Sequence, residues 1–347
     1  MPTTPHILIV GAGAVGLVYG RHSQLGGCRV TYYVREKYRT EAEAGYPMYP
    51  LNTLSTKRGD KPVLFAEFDV VTSPEQIADA GPFDQVWLCV SSPALRGGWL
   101  APILQSAGDD ATLILLTNGL SDQELVAEMT GDAATGEPRI VQGIISMISY
   151  QGPLPNETLP EPGCVYWFPP LGPSPFSGQK ARVQAVVGQL KEGGCPAKVH
   201  PDVSAVVGFP TATLMPFLLA MEGAGWTFAG MKSGDWLQRC TEASREARAT
   251  VSARTGHKEP MQMKLLSPTV LRMAMALAPT VIPLPIEAFL AYHFTKVGDQ
   301  TRMYVDDYIK IAEQRGLPAD NLRELNNRLP PPAKELAKPA ASTASAT

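Results

Sequence analysis

Residues 6–16 read HILIVGAGAVG, an apolar run followed by three glycines in the spacing Gly-x-Gly-x-x-Gly. Gly11 permits a tight turn, Gly13 lets a phosphate approach the backbone, and Gly16 lets a helix pack on the strand. Because the run predicts a strand and the glycines open a helix, free amides would face an anion at the helix N-terminus. A plain strand-to-helix turn is the alternative. The predicted dinucleotide loop consists of Gly11, Ala12, Gly13, Ala14, Val15 and Gly16.

Short apolar runs alternate with helical patterns through the first half of the chain. The runs lie at 29–34, 69–72, 84–90 and 112–116, and the early ones are continuous, as in parallel strands buried on both faces. This alternation predicts an α/β fold with a Rossmann-type doubly wound parallel sheet. Further strands are expected at 139–149 and 163–168, and a helix is expected at 178–194.

After about residue 200 helical patterns dominate, so we expect a second, mostly α-helical domain. We assign residues 1–199 to a nucleotide-binding Rossmann-type domain and 200–329 to a helical substrate and dimerisation domain. Residues 330–347 are rich in Pro, Ala, Ser and Thr and are predicted to form a disordered tail.

The composition narrows the function classes. A formal net charge of −3 does not indicate a nucleic-acid or membrane partner. The five cysteines form no Cys-x-x-Cys motif and the five histidines have no metal-ligand spacing, so we expect reduced thiols, a cytoplasmic protein and no metal. The apolar stretch 273–286 is too short for a membrane span and contains three prolines, so it is interpreted as buried core. Exposed apolar surface within 265–292 could instead form a homodimer contact.

The second predicted strand ends at Arg35, where NAD-selective sites usually carry an acid. A guanidinium suits a 2′-phosphate, so NADP(H) is favoured over NAD(H). Lys37 could assist, and Arg39 is interpreted as a solvated loop charge. Glu36 could point at the ribose instead.

Two further loops follow predicted strands. Asn118-Gly119 lies between a buried strand and a helix, so Asn118 is assigned to the cofactor site, although Asn-Gly could be only a turn. Ser91 could line the same cleft. Ser92 is interpreted as the cap of a helix that starts at Pro93, and Ser121 with Glu124 has capping-box spacing.

Three stretches resemble the ketopantoate reductase family. They are ILIVGAGAVGLVYGRHSQLGGCRVTYYVR (7–35), LLTNGLSDQELV (115–126) and HFTKVGDQTRMYVDDYIKIAEQRGLPADNLREL (293–325). The resemblance covers 5 to about 130 well, about 290 to 329 moderately, and the middle poorly. It implies an NADPH-dependent reductase of 2-keto acids, with a helical second domain and the nicotinamide near Asn118.

The resemblance fails where the family's acid should be. The family carries a lysine and two asparagines on the first long helix of the second domain. When Pro216 is aligned with the proline after the second asparagine, Val207, Thr211 and Met215 take these positions. Gln300 takes the position of the family's catalytic glutamate.

Two nearby residues are candidate substitutes for the missing acid. His293, Lys296 and Gln300 are spaced three and four residues apart, which would place them on one helical face, although Gly298 weakens that geometry. Lys296, ahead of His293, could donate a proton. The alternative is an ordinary solvated helix face. Glu222, in an apolar helix, could be buried with a raised pKa or simply paired.

The sequence thus predicts an NADP(H)-dependent oxidoreductase acting on a small-molecule 2-keto acid or related carbonyl. The alternative is a catalytically silent NADP(H)-binding sensor or partner protein, which the missing lysine motivates.

Overall fold

The computed structural model of the chain describes residues 4–52, 62–131, 139–170 and 172–329, and the predicted tail at 330–347 lies outside them. Twelve strands occur in the described part. They are β1 His6–Val10, β2 Arg29–Tyr33, β3 Tyr46–Pro50, β4 Val63–Phe65, β5 Asp69–Val71, β6 Gln85–Leu88, β7 Thr112–Leu115, β8 Ile140–Gly143, β9 Ile148–Gly152, β10 Gly163–Trp167, β11 Ser174–Ser177 and β12 Ala197–Val199.

Helices separate most of these strands and dominate the described chain after residue 203. They are α1 Ala14–Leu25, α2 Arg39–Glu43, α3 Pro74–Ala80, α4 Ser92–Leu95, α5 Leu100–Ser106, α6 Asp122–Thr130, α7 Lys180–Glu192, α8 Ser204–Gly223, α9 Phe228–Lys232, α10 Trp236–Thr255, α11 Met261–Lys264, α12 Pro268–Val281, α13 Ile286–Lys296, α14 Gly298–Gln314 and α15 Asp320–Asn327.

The larger sheet contains eight strands in the order β12-β11-β8-β7-β6-β1-β2-β5. Strand β1 is central and buried along its whole length, with Leu8 opposite Thr31 of β2 and Val86 of β6. All neighbours pair in parallel except β8 and β11, which are antiparallel. The continuous apolar runs therefore correspond to strands buried on both faces, and the predicted doubly wound Rossmann-type sheet is confirmed.

The run predicted as one strand at 139–149 divides between two sheets. Strand β8 ends at Gly143, and β9 begins at Ile148 in a four-stranded sheet ordered β4-β3-β10-β9. Phe176 packs so closely on Gly143 that a Cβ there would overlap its ring. Periodicity alone does not reveal this break, because both segments are apolar.

The helical half is built around α8 and α10. Gly208 of α8 faces Val251 of α10, and an added Cβ would lie 2.7 Å from Val251 Cγ1. Helix α8 is long and apolar enough to cross a membrane, but 61% of that window is buried inside the protein, as in the core helix of a globular domain. The predicted helical second part of the fold is confirmed.

The interpretation of 273–286 as buried core is wrong for its first part. Within α12 only Met275 is fully buried, whereas Met273, Leu277 and Val281 are exposed. Leu284 and Ile286 beyond the helix are buried. The apolar composition of a segment does not by itself show which of its side chains are buried within the chain.

Candidate functional site

The glycine loop connects β1 to α1 at the carboxyl edge of the larger sheet. Gly11 has φ +105°, and a Cβ there would lie 2.8 Å from the Cys89 carbonyl oxygen. A Cβ on Gly16 would collide with the carbonyl oxygen of Gly11. Gly13 is exposed and has no neighbour within 4 Å of its added Cβ. The fold itself thus requires Gly11 and Gly16, whereas Gly13 leaves open space above the start of α1.

Two other sequence-assigned loops lie at the same edge, because β6 and β7 follow β1 in the sheet order. Ser91 follows β6 and is the residue before α4, and Asn118 follows β7. The Asn118 side-chain oxygen is buried and has no hydrogen-bond partner among the described residues. A buried carboxamide oxygen that accepts no hydrogen bond lowers the stability of the fold. The position therefore suits a ligand that donates an N–H group to this oxygen.

The basic positions after β2 flank one aromatic ring. The Arg35 guanidinium carbon lies 5.4 Å and the Lys37 Nζ 5.0 Å from the centroid of the Tyr38 ring. Both basic side chains belong to exposed residues. Two exposed positive charges that lie this close together could bind an anionic group of a ligand.

Arg39 is not the solvated loop charge that the sequence indicated. Its guanidinium donates to Glu36 Oε1 at 3.0 Å, to Thr72 Oγ1 at 2.6 Å and to Gln76 Oε1 at 3.2 Å. Hydrogen bonds from Arg39 and Thr72 lower the pKa of Glu36. Glu36 is therefore held by Arg39 and Thr72, and among the described residues Arg35 and Lys37 are exposed cations at this corner that lie at the Tyr38 ring.

Helix α14 docks directly on the loops that follow β6 and β7. Gln300 Oε1 accepts a hydrogen bond from the Ser92 N–H at 2.9 Å. The Ser92 and Tyr304 hydroxyl groups are 2.8 Å apart, and the Tyr304 hydroxyl accepts from the Asn118 N–H at 3.2 Å. Burial, with the Asp122 carboxylate as the second cause, raises the pKa of Tyr304 above its usual range, so the phenol keeps its proton.

Asp122 forms hydrogen bonds with residues of both loops, the one after β6 and the one after β7. Its carboxylate is fully buried, bonds the Ser92 hydroxyl, and accepts from the Gly119 N–H at 3.0 Å and from Arg96 Nη1 at 2.9 Å. We name Ser92, Asp122, Gln300 and Tyr304 the junction cluster. It links the β6 and β7 loops to the helical half of the chain.

Two capping predictions are wrong at this junction. Ser92 is the first residue of α4 rather than its cap, and its hydroxyl is engaged in the junction cluster. Ser121 precedes α6 but makes no side-chain cap bond, and its hydroxyl accepts from Arg96 instead. Local spacing suggested caps because the competing partners, Tyr304 and Arg96, are distant in sequence.

The helical face predicted for His293, Lys296 and Gln300 is interrupted. Helix α13 ends at Lys296 and α14 begins at Gly298, so the three residues do not share one helix. Gln300 reaches Ser92, whereas Lys296 is exposed. His293 packs against Phe289 and Phe294 at ring-centroid distances of 5.3 and 4.8 Å. Burial, and then Lys296, lowers the pKa of His293 to about 4.

Helix α8 offers no ionisable group at the three positions aligned with the expected acid and amides. Val207 and Met215 are buried, and the Thr211 hydroxyl donates to the Val207 carbonyl of its own helix at 2.9 Å. Farther along, Glu222 forms an ion pair with Arg302 at 2.8 Å, while burial raises its pKa and Arg302 opposes that rise. Glu222 is thus both paired and partly buried. No group of three potential metal ligands occurs among the described residues.

The chain was compared with protein-family models and with curated proteins. Residues 7–154, less than half of the chain, match the family model "Ketopantoate reductase PanE/ApbA". The search of curated proteins gave no match.

Solved structures match over nearly the whole chain at low identity. A PanE/ApbA family ketopantoate reductase from Ralstonia eutropha JMP134 is 14% identical with a TM-score of 0.69, covering 93% of this chain and 96% of that one. A 2-dehydropantoate 2-reductase from Geobacter metallireducens GS-15 is 17% identical with a TM-score of 0.66, covering 93% and 98%. A D-mandelate dehydrogenase with NADH and anilino(oxo)acetate is 12% identical with a TM-score of 0.66, covering 93% and 96%.

At these identities the structural matches establish the fold alone. Residues 7–154 are similar to the ketopantoate reductase (PanE/ApbA) family model, and the chain shares its overall fold with a solved PanE/ApbA family ketopantoate reductase and a solved 2-dehydropantoate 2-reductase.

Proposed function

We propose that the protein is an NADP(H)-dependent oxidoreductase that interconverts a small 2-keto acid, or a related carbonyl compound, and its alcohol. The observation that carries the proposal is the unpartnered Asn118 carboxamide oxygen, buried at the sheet edge that also holds the glycine loop. Ligands of doubly wound sheets bind at the carboxyl ends of the strands. The names of the solved neighbours, a 2-dehydropantoate 2-reductase and a D-mandelate dehydrogenase, support this substrate class.

Each part of the cofactor would meet a matching group. The pyrophosphate would lie over Gly13, with the amides of Ala12, Ala14 and Val15 around it. The 2′-phosphate would lie by Arg35 and Lys37, which Glu36 does not neutralise because it is held by Arg39. Ser91 would line the cleft beside the ribose and nicotinamide.

A bound nicotinamide would supply or accept the hydride, and the residues of this chain orient it. The Asn118 side-chain oxygen would accept from the nicotinamide carboxamide. The Tyr304 hydroxyl fixes the Asn118 backbone N–H, and the Ser92 hydroxyl connects Tyr304 to Asp122. The junction cluster therefore fixes the position of the Asn118 backbone. In this proposal, the cofactor site keeps its geometry only while α14 packs on the loops after β6 and β7.

The proton on the substrate oxygen needs a separate donor. Because the pKa of His293 is about 4, its imidazole is neutral near pH 7 and carries no proton that it readily gives up. Lys296 lies one helical turn after His293 on α13 and is exposed. We therefore assign the role of proton donor to Lys296, and His293 serves only to pack beside it.

Replacing Lys296 with methionine tests this assignment. General acids contribute roughly 10²- to 10⁴-fold, so we expect kcat to fall at least about 100-fold while the Kd for NADPH is unchanged. Lys310, exposed on α14, is the matched control, and Lys310→Met should keep full turnover. Unchanged turnover in Lys296→Met would return Lys296 to the solvated surface.

The function itself is tested by titrating NADPH and NADH against tryptophan fluorescence and then following NADPH oxidation with a panel of 2-keto acids. We expect tighter binding of NADPH than of NADH, and turnover with at least one acid. Tight NADPH binding without turnover across the panel would favour the silent sensor, for which the absence of an ionisable group at Val207, Thr211 and Met215 of α8 is the specific support.

A further inference from the structure

Trp99 is an exposed tryptophan in the nucleotide-binding half of the chain. All five tryptophans lie within the described residues, and Trp99 alone among them is exposed, with 39% of its surface accessible. It follows α4, the helix after β6, and directly precedes α5. Single exposed apolar side chains are common on protein surfaces, so the significance of Trp99 depends on what surrounds it.

The indole ring of Trp99 lies parallel to the ring of Tyr33, the last residue of β2. The two ring centroids are 6.3 Å apart, and the ring planes are inclined by 9°. Parallel rings at this centroid distance are offset from each other, so each covers only part of its neighbour. Tyr33 and Trp99, which we name the aromatic platform, therefore form a flat surface on which a third ring can stack.

The indole is held in its orientation by its neighbours. A Cβ on Gly97 would lie 2.4 Å from Cδ1 and 2.5 Å from Nε1 of Trp99, so the indole fills the space that a side chain at position 97 would need. Tyr33 is itself packed against a buried core, which fixes the other ring of the platform. A ring that is already oriented loses little conformational freedom when a ligand binds to it.

The aromatic platform adjoins both the glycine loop and the basic corner. Strand β1 lies between β6 and β2 in the sheet, so Trp99 and Tyr33 come from the two sides of the glycine loop. The Gly11 N–H donates to the Tyr33 carbonyl oxygen at 3.2 Å. Arg35, an exposed cation, follows Tyr33 by two residues. A flat aromatic surface, a guanidinium and a phosphate-binding loop are thus neighbours at one sheet edge.

The combination of these groups selects the chemical class of the ligand. A bare nucleobase would match the platform but not the cations, and inorganic phosphate would match the cations but not the platform. An adenosine that carries a 2′-phosphate and a 5′-phosphate matches the platform, Arg35 and the glycine loop together.

We propose that the Trp99 indole stacks on the adenine ring of NADP(H). The inference rests on the cofactor of the proposed function. It adds a specificity-determining residue from the α4–α5 connection, which neither the glycine spacing nor the family resemblance indicates. Stacking recognises the flat base, whereas Arg35 recognises the phosphate, so the two residues contribute separately to binding of the same half of the cofactor.

Isothermal titration calorimetry with 2′,5′-ADP, which contains the base and both phosphates but no nicotinamide, tests the stacking. Removal of an aromatic ring from a stacked base weakens binding about 5- to 100-fold, so Trp99→Leu should raise the Kd for 2′,5′-ADP and for NADPH at least about 5-fold. Trp99→Phe keeps a flat ring and should stay within about 3-fold of the wild type. Tyr292→Leu, at a tyrosine that is also 39% exposed, is the matched control and should bind as the wild type does.

Tryptophan fluorescence provides a readout that a purely structural role of Trp99 would not change. An adenine ring stacked on the indole should quench its emission, so 2′,5′-ADP should lower the fluorescence of the wild type. Trp99→Phe retains the other four tryptophans and should bind 2′,5′-ADP with little quenching. This comparison holds even if Trp99→Leu has a lower thermal midpoint or fails to fold.

The outcomes separate the role of Trp99 from the proposed function. A wild-type Kd for 2′,5′-ADP in folded Trp99→Leu, or equal quenching in the wild type and Trp99→Phe, would overturn the stacking while NADPH binding by the wild type left the proposed function standing. A wild-type protein that bound neither NADPH nor 2′,5′-ADP would overturn both.

Discussion

The glycine loop and the junction cluster contribute to one candidate site but differ in how they are built. The loop, residues 11–16, is made by consecutive residues whose spacing alone determines a tight turn and a helix start. The junction cluster is made by residues far apart, with Ser92 and Gln300 separated by 208 positions. A cofactor site can thus be recognised locally while the groups that hold it in place depend on the packing of two halves of the chain.

The largest expected effect separates two glycines within the loop. Gly16→Ala places a Cβ against the Gly11 carbonyl oxygen, a backbone atom that cannot move aside. Overpacking of this kind costs about 1–3 kcal/mol or more, so we expect a lower thermal midpoint and loss of NADPH binding. Gly13→Ala meets nothing within 4 Å and should keep the wild-type midpoint while weakening NADPH binding.

These two variants, compared by thermal melting and fluorescence titration, distinguish a structural glycine from a ligand-facing one. Normal NADPH binding by Gly16→Ala, or wild-type binding by Gly13→Ala, would show that the cofactor does not use the loop as described.

Replacing Arg35 addresses the corner where the 2′-phosphate would lie. Hydrogen bonds to charged groups contribute about 1.5–3 kcal/mol, so Arg35→Ala should raise the Kd for NADPH roughly 10- to 100-fold and leave the Kd for NADH unchanged. The control is Arg29→Ala, at the start of the same strand, where an exposed ion pair with Asp69 is lost. Equal weakening of both cofactors would indicate a general charge effect rather than recognition of the phosphate.

Removing the Tyr304 hydroxyl group tests whether the junction cluster contributes to turnover as well as to stability. Tyr304→Phe deprives the Asn118 N–H and the Ser92 hydroxyl of a partner. We expect kcat to fall about 10-fold and the free energy of unfolding to fall by about 1–2 kcal/mol, with a smaller change in the KM for NADPH. Tyr292→Phe, at an exposed tyrosine on α13, should change none of these. If kcat were wild-type while stability fell, the cluster would serve folding alone.

An effect on stability alone, with none expected on cofactor binding, is a pH dependence that comes from His293. The folded-state pKa of His293, about 4, lies below the ordinary value of 6.5 because the imidazole is buried beside Lys296. The unfolded chain therefore binds more protons between these values, and the free energy of unfolding should decrease as pH falls from about 6.5 to 4. Urea denaturation of His293→Gln over this range should show a shallower decrease. Parallel curves for the two proteins would mean that His293 is solvated.

Sequence reasoning reached the features that depend on local spacing. The β1 strand, the positions of Gly11 and Gly16, and the doubly wound sheet follow from apolar runs and glycines that are close in sequence. It did not reach Asp122 or Tyr304, because a buried carboxylate inside a helix start and a tyrosine on a distant helix carry no local signal. The pairing of Ser92 with Tyr304 spans 212 positions.

For α12 the sequence left two interpretations open, a buried core segment and an exposed apolar surface. Its composition resembles that of a core helix, and the inner residues Met275 and Leu271 do pack on the core. Met273, Leu277 and Val281 on the other face are of the same residue types, but they are 60%, 58% and 67% exposed. Hydrophobicity alone does not distinguish the two faces of the helix, and only the coordinates show which of these side chains stay exposed.

The most direct test of the central claim is a crystal structure with NADP⁺ bound. We predict that the nicotinamide carboxamide nitrogen lies within about 2.7–3.2 Å of Asn118 Oδ1, with the pyrophosphate over Gly13 and the 2′-phosphate beside Arg35. A structure in which Asn118 Oδ1 has no contact with the cofactor, or in which the 2′-phosphate points away from Arg35, would contradict the account.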